Sequence, residues 1–346
     1  MSITIRQADL ALDKKLLIDT FFRYLTPLSD GRRFDWLYRH NPHGEARVWI
    51  ATDTHKGAVV GIASAFPRRV CFDGSEELGW VLGDFCITDQ YRSLGPALKL
   101  QRACLEDIDS GTVSFCIDFP SVNMMAVYKR LGINPLTQML RLAKPLRIDR
   151  IIGKFLKASV ITDTLNAASK FLLAISNRRP KNMGLLTIAL HEGACGEEFS
   201  ALAGDVSKQY GVCSHRSAQY LNWRYLSNPL QHYQLLTVRQ SNTLLAYAVI
   251  THTGQDLNLI DLFGVKDPEI ISSLVYGVVT LARKRNAVTV SMSITKSHPW
   301  IPFFHQLGFR EREESPVVVY IPRTLASKCN VLQSVNWFLM DGDRDS

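Results

Sequence analysis

Two tandem copies of one mixed α/β domain, the second degraded, are what the sequence predicts, and three matched segments predict it. Asp35-Trp36-Leu37-Tyr38-Arg39-His40-Asn41-Pro42 returns as Asn222-Trp223-Arg224-Tyr225-Leu226-Ser227-Asn228-Pro229, with Trp, Tyr, Asn and Pro at identical spacing. Gly83-Asp84-Phe85 returns as Ile260-Asp261-Leu262, and Tyr128-Lys129-Arg130-Leu131-Gly132-Ile133 as Phe304-His305-Gln306-Leu307-Gly308-Phe309. Three anchors in one order argue against a chance echo. The 346 residues suffice for two cores, at one domain per ~150 residues.

In the first copy a strand over 3–6 leads into helical sequence as far as His40. Asn41-Pro42 stops that helix, because the residue before Pro is pushed out of the α region. Strands follow over 47–52, 58–66 and 78–88, the first two separated by a turn at His55-Lys56-Gly57. After the loop 89–96 comes a helix over 97–110, with Leu98, Leu100, Ala103, Cys104 and Ile108 forming its apolar face. A short buried strand over 112–118, a short helix over 123–131 and a strand over 135–143 complete the copy. The second copy repeats the order. It has helices over 197–210 and 217–226, strands over 233–239, 244–253 and 257–265, and a helix over 268–285. A strand over 287–294, a helix near 300–307 and a strand over 309–321 end it. Each copy is a mostly antiparallel sheet with a few helices, α+β or mixed α/β. The implied boundaries are 1–148, a helical connector over 149–184 that packs between the domains, 185–325, and a tail over 326–346.

Composition narrows the function classes. With 46% hydrophobic and 21% charged residues the chain reads as a soluble globular protein. No apolar run reaches the ~18–20 residues of a membrane span, and the opening MSITIRQADL lacks a signal peptide's apolar segment. Seven cysteines with no C-x-x-C and no zinc spacing predict reduced core thiols, a cytoplasmic setting and no metal. The formal charge of +8 is scattered, with only Arg178-Arg179-Pro180-Lys181 clustered. It suits a phosphate-rich small molecule and gives nucleic acid little support.

The segment from Leu82 to Ala97 carries the chemistry. A strand enters a turn holding Arg92, Gly95 and Ala97, and a helix begins at once. Exposed amides and the positive dipole end of a helix suit an anion, Gly permits close approach, and Arg92 adds a charged donor. The pattern R-x-x-G-x-A after a strand, followed by Tyr-x-x-x-Gly before a last strand, resembles the GNAT superfamily of coenzyme-A-dependent N-acyltransferases. Phe119-Pro120-Ser121 and Tyr128-Lys129-Arg130-Leu131-Gly132-Ile133 look like that family's second signature, with Ser for a frequent Asn and Ile for a frequent Phe. The likeness covers roughly 1–145 at motif level and 185–322 as fold only.

The resemblance implies two tandem GNAT-like domains, acetyl-CoA as acyl donor and a small-molecule amine as acceptor. It puts Ile87, Arg92, Ser93, Leu94, Gly95, Pro96 and Ala97 on the cofactor, the loop amides on the pyrophosphate. It makes Tyr128 the candidate acid for the departing thiolate, and Asp84 the candidate for holding or deprotonating the amine. The alternatives are a half-buried structural Tyr128 and an Asp84 that caps a turn or pairs with an Arg. Cys86 shares the strand face of Asp84 and reads as core, since no His motif accompanies it.

The second copy serves as an internal control. At the offset of 177 set by Asp84 and Asp261, Arg92 becomes Glu269, Gly95 Ser272 and Ala97 Leu274, while Tyr128 becomes Phe304. A carboxylate repels pyrophosphate, and Pro268 removes an amide donor. The second copy is therefore expected to be degenerate. Trp223, Tyr225, Asn228, Pro229 and Gly308 are the retained scaffold set, which argues that Trp36 and Tyr38 are structural too. Arg216, Asn222, Arg224 and Tyr225 suit either an acceptor cleft or a solvated helix face. The ending Trp337 to Ser346 joins an apolar anchor to acidic residues. It looks like tails of bacterial tandem GNAT proteins tied to surface polysaccharides, hence an amino sugar as a possible acceptor; otherwise it is a docked helix with frayed carboxylates. Two other functions fit less well. A Fem-type aminoacyltransferase using aminoacyl-tRNA lacks its long charged coiled-coil insertion here, and a scaffold that binds acyl-CoA without catalysis would not need Asp84 or Tyr128.

Overall fold

The computed structural model describes residues 2–72, 75–92, 94–147, 183–322 and 337–345. The connector expected over 149–184 lies outside them up to residue 182, as does the first part of the tail. In the first half the strands are β1 (Ile3–Gln7), β2 (Arg47–Asp53), β3 (Ala58–Phe72), β4 (Ser75–Ile87), β5 (Cys116–Asp118) and β6 (Thr137–Pro145). The helices are α1 (Lys14–Tyr24), α2 (Gly31–Phe34), α3 (Leu94–Asp109) and α4 (Val122–Arg130). The second half supplies β7 (Leu186–Leu190), β8 (Val212–Ser214), β9 (Gln234–Gln240), β10 (Thr243–Thr253), β11 (Asp256–Gly264), β12 (Thr289–Thr295) and β13 (Arg310–Tyr320). Its helices are α5 (Glu197–Ser207), α6 (Ala218–Leu221), α7 (Pro268–Lys284) and α8 (Ile301–Gln306), and β14 (Trp337–Phe338) belongs to the tail.

The chain is mixed α/β, as expected. One large sheet runs β1-β2-β3-β4-β5-β13-β6-β12-β11-β10-β9-β7. Its ladders are antiparallel apart from β4 with β5 and β11 with β12; off this path β8 pairs with β3 and runs parallel to β14. The order contains an exchange. β13, the last strand of the second half, pairs with β5 of the first, while β6 of the first pairs with β12 of the second. A sequence repeat cannot show this, because the edge that β6 and β13 each join is a long-range choice that the local pattern of neither strand records. The two expected cores merge accordingly. One buried cluster contains Leu17, Tyr38 and Leu142 together with Trp223, Tyr247 and Phe304. A second, under α3, holds Trp49, Trp80, Leu100, Cys104 and Ile108.

The repeated Trp-x-Tyr segments sit where the halves meet. The helical run to His40 is broken after α1 by Thr26-Pro27, and Asp30 recaps it by accepting from the Arg33 amide. α2 and α6 each continue into a π-helical turn, Asp35–Arg39 and Asn222–Leu226. The extra residue per turn presents the two Trp rings to each other. They stack at 5.2 Å, and each indole N–H donates to the other residue's carbonyl at 2.9 Å. Such a pair adds ~0.5–1.5 kcal/mol beyond area burial.

α3 starts at Leu94, three residues before the expected start, so Gly95 and Pro96 lie in its first turn. Pro is tolerated there because its missing N–H would have had no helical partner.

Candidate active site

A cleft of about 720 Å³ opens in the first half. It exists because β4 and β5 pair only at Trp80 with Cys116 and at Val81 with Ile117, then part. Beyond that fork Leu82 to Ile87 form one wall, Asp118 to Ser121 the other, and Ala97, Gln101 and Cys104 of α3 the floor.

β4 carries a bulge at the fork. Its register against β3 shifts between Ile62 and Ser64, leaving Asp84 and Phe85 out of step. Asp84 has φ +47°, a left-handed conformation that costs a non-glycine residue ~1–3 kcal/mol. The buried surroundings offset the cost. Arg33 donates to both Asp84 oxygens at 2.7 and 2.8 Å, and the Tyr38 hydroxyl donates at 2.6 Å. Asp84 thus lines the cleft wall, but its carboxylate is committed to an ion pair with Arg33 in place of the amine contact suggested by resemblance.

Tyr128 differs in a similar way. Its ring is fully buried, and its hydroxyl donates to Asp118 at 2.5 Å while accepting from Gln101 Nε2 at 3.2 Å. Asp118 and Gln101 line the cleft and Tyr128 stands behind them. Burial pushes the Asp118 carboxyl up to about 7, and the hydrogen bonds from Tyr128 and the Phe119 amide only partly oppose it. The Tyr128 phenol is raised well above its ordinary range, chiefly by burial. Sequence reasoning missed Asp118. The available signal was an acid closing the otherwise apolar strand Phe115-Cys116-Ile117, beside a Pro turn.

Ile87, Arg92 and Ala97 line the cleft, and Pro96 is buried. Ser93 lies outside the described residues. Gly95 is exposed, and a Cβ added to it would meet nothing within 4 Å, so the helix start is open to a ligand. Because Pro96 has no N–H, the first-turn donors are the Leu94, Gly95 and Ala97 amides. The Arg92 guanidinium rests 2.8 Å from Asp89, with both side chains exposed. Cys86 is buried, its thiol pushed up to about 12 by desolvation, which fits a core residue.

The corresponding region of the second half is closed. α7 starts at Pro268 and α3 at Leu94, so the offset there is three residues shorter than the one Asp84 and Asp261 set. Glu269 consequently matches Gly95, and Lys266, opposite Arg92, packs over the Tyr210 ring at 4.3 Å. Asp267 caps the helix by accepting from the Glu269 amide, which places a carboxylate where an anion would sit. The tail fills the gap between β11 and β12. Met340 bridges to Ile294, Asp343 lies 3.1 Å from Arg216, and Asp345 reaches Arg68 of β3 at 2.6 Å. These carboxylates are buried, which corrects the frayed-end alternative; the described tail residues, 337–345, form a short strand and a 3₁₀ turn. Arg216 and Arg224 are spent on the tail and on Asp261, neither lining a cleft nor facing solvent. Among the described residues no helix is long and apolar enough to cross a membrane, and no cluster of three or more His, Cys, Asp or Glu could hold a metal ion.

No protein-family model matches the chain, and no curated protein matches it. Solved structures do. A GCN5-related N-acetyltransferase from Anabaena variabilis superposes with TM-score 0.67 at 12% identity, over 92% of this chain and 73% of that one. A protein from Enterococcus faecalis described as a probable N-acyltransferase gives 0.66 at 11%, over 93% and 73%. The chain has the GCN5-related N-acetyltransferase fold. Saccharomyces cerevisiae N-myristoyltransferase, solved with bound myristoyl-CoA, shares it with TM-score 0.58 at 11% identity, over 92% of this chain and 82% of that one.

Proposed function

We propose that the chain is a coenzyme-A-dependent N-acyltransferase that moves an acyl group, in the simplest case acetyl, to a primary amine by direct attack. The observation that carries this reading is the fork of β4 and β5, which opens a cleft onto the first turn of α3. The open space over Gly95 fits a pyrophosphate held by the Leu94, Gly95 and Ala97 amides, with Arg92 released from Asp89 to join it. The pantetheine arm lies along Leu82 to Ile87. The neighbours that act on or bind acyl groups support the same reading.

The two-copy organisation belongs to the proposal: a first half that works and a degenerate second half that braces it. The acceptor class suggested by the tail is an amino sugar of a polysaccharide precursor, in the cytoplasm. An amine attacks only when neutral, so the site needs a group to take its proton.

The test is calorimetric titration of the whole protein with acetyl-CoA. One-to-one binding is expected, weakened at least about tenfold (~1.4 kcal/mol) in Gly95→Trp, whose indole fills the open space. Failure of the wild-type protein to bind acetyl-CoA overturns the reading.

A further inference from the structure

The two halves can be compared with each other. The Arg33–Asp84–Tyr38 trio recurs as Arg216, Asp261 and Tyr225, with the guanidinium 2.9 and 3.0 Å from the carboxylate and the phenol at 3.5 Å. Since the second half is plugged, that trio serves the scaffold in both. The Asp118–Tyr128–Gln101 cluster does not recur. β12 carries no acid along its length, Phe304 replaces Tyr128, and the matching stretch of α7 presents Val275 and Val278, both buried. A buried acid kept only beside the open cleft is a cost without structural return, unless the cleft uses it.

We infer that Asp118 is the proton carrier of the first-half cleft, with Tyr128 and Gln101 as its positioning residues. This rests on the acyl-transfer reading above. The amine nitrogen forms its bond to the acyl carbon, and the carbon–sulfur bond breaks. Asp118, as carboxylate, takes the proton that the nitrogen loses, then gives it to the departing sulfur. The carboxylate is restored, the proton ends on the thiol, and nothing is oxidised or reduced. Tyr128 is too deeply placed to line the cleft, but its 2.5 Å hydrogen bond orients the Asp118 carboxyl, which itself lines the cleft. The titratable groups facing Asp118 are Tyr128 on α4, Cys104 on α3 and Cys116 on its own strand, all neutral acids, with apolar Val318 opposite on β13. Its burial is thus not offset by a cation, and both protonation states are populated near neutrality.

The experiment uses the full chain, acetyl-CoA and a probe set of glycinamide, glucosamine and benzylamine, with free coenzyme A measured by chromatography. Asp118→Asn, which preserves the Tyr128 contact, is expected to bind acetyl-CoA like the wild type and to lose about 100-fold or more in turnover. Tyr128→Phe is expected to lose less and to shift the rising limb of the pH–rate profile to higher pH, because the lost hydrogen bond favoured the carboxylate. A readout without any acceptor is the infrared titration of the carboxyl band that Asp118→Asn deletes. It should fall near pH 7 and move upward in Tyr128→Phe. Turnover of Asp118→Asn within about threefold of wild type, or a band titrating near pH 4, overturns the assignment while leaving the acyl-transfer reading intact. Absence of acetyl-CoA binding by the wild type removes the reading and the assignment together.

Discussion

The Asp118 carboxyl imposes a pH dependence on stability that needs no substrate to observe. Burial holds it at about 7 in the folded chain, against an ordinary value of 3.8. Below about pH 4 both folded and unfolded chains carry the proton, and it contributes nothing to the difference. Between about 4 and 7 the unfolded chain has released the proton while the folded chain keeps it. Stability therefore falls as pH rises through that window and levels off above 7. At about 1.4 kcal/mol for each pH unit between the two values, the loss approaches ~4 kcal/mol by pH 8. Asp118→Asn removes the ionisation and keeps an acceptor for the Tyr128 hydroxyl. Urea unfolding of both proteins at pH 4.5 and pH 8 isolates the effect, since every other titrating group cancels in the difference. The variant's stability relative to wild type should rise by about 3–4 kcal/mol between the two pH values. A difference flat to within ~1 kcal/mol would show that Asp118 ionises in the folded chain as it does in water, and would refute the argument from burial.

Other outcomes follow from the scaffold. Arg33→Met leaves the Asp84 carboxylate buried beside a strained backbone, and should cost about 3–5 kcal/mol in urea unfolding. Trp36→Ala should cost ~3–5 kcal/mol, and a cycle with Trp223→Ala should show coupling of at least ~0.5 kcal/mol, reflecting the stacked pair and its reciprocal hydrogen bonds. Cys86→Ala should keep turnover within about threefold, because a thiol held near 12 supplies almost no thiolate at neutral pH.

Much of the fold was readable because local patterns determine it. Asn41-Pro42 ends a helical segment, short continuous apolar runs mark β2 and β10, and the spacing of Trp36 and Tyr38 against Trp223 and Tyr225 marked them as scaffold before their contacts were visible. What escaped depends on long-range choice. Nothing in β6 or β13 says which half's edge each will join, so the exchange was invisible. The acids at Asp343 and Asp345 read as solvated, since the Arg68 and Arg216 partners lie more than a hundred residues away. The strand, turn and helix start around Arg92 to Ala97 were legible because they depend on local backbone pattern, and side-chain pairing was less so. Pairing of Asp84 with an Arg was among the sequence alternatives and is what the structure shows, whereas which Arg it is, and the Asp118 partner of Tyr128, are set by packing.

The closed second half explains how the first-half cleft can tolerate the strain at Asp84. A 39.0 kDa chain whose halves exchange their last strands cannot open one half without disturbing the other. The plug deepens that coupling. Asp345 ties the tail to Arg68 on β3, the strand that also supplies Ala63 and Ser64 to the open cleft, and Arg344 lies over the Phe119 ring, part of the same cleft's wall, at 5.0 Å. Trp337, Phe338, Leu339 and Met340 are each almost fully buried. At ~1.5–3 kcal/mol for each large apolar side chain removed from water, they offset several times over the cost of a left-handed Asp84. The gap between β11 and β12 is thus filled by the chain itself, and the same tail is tied to β3, the strand that borders the fork of β4 and β5.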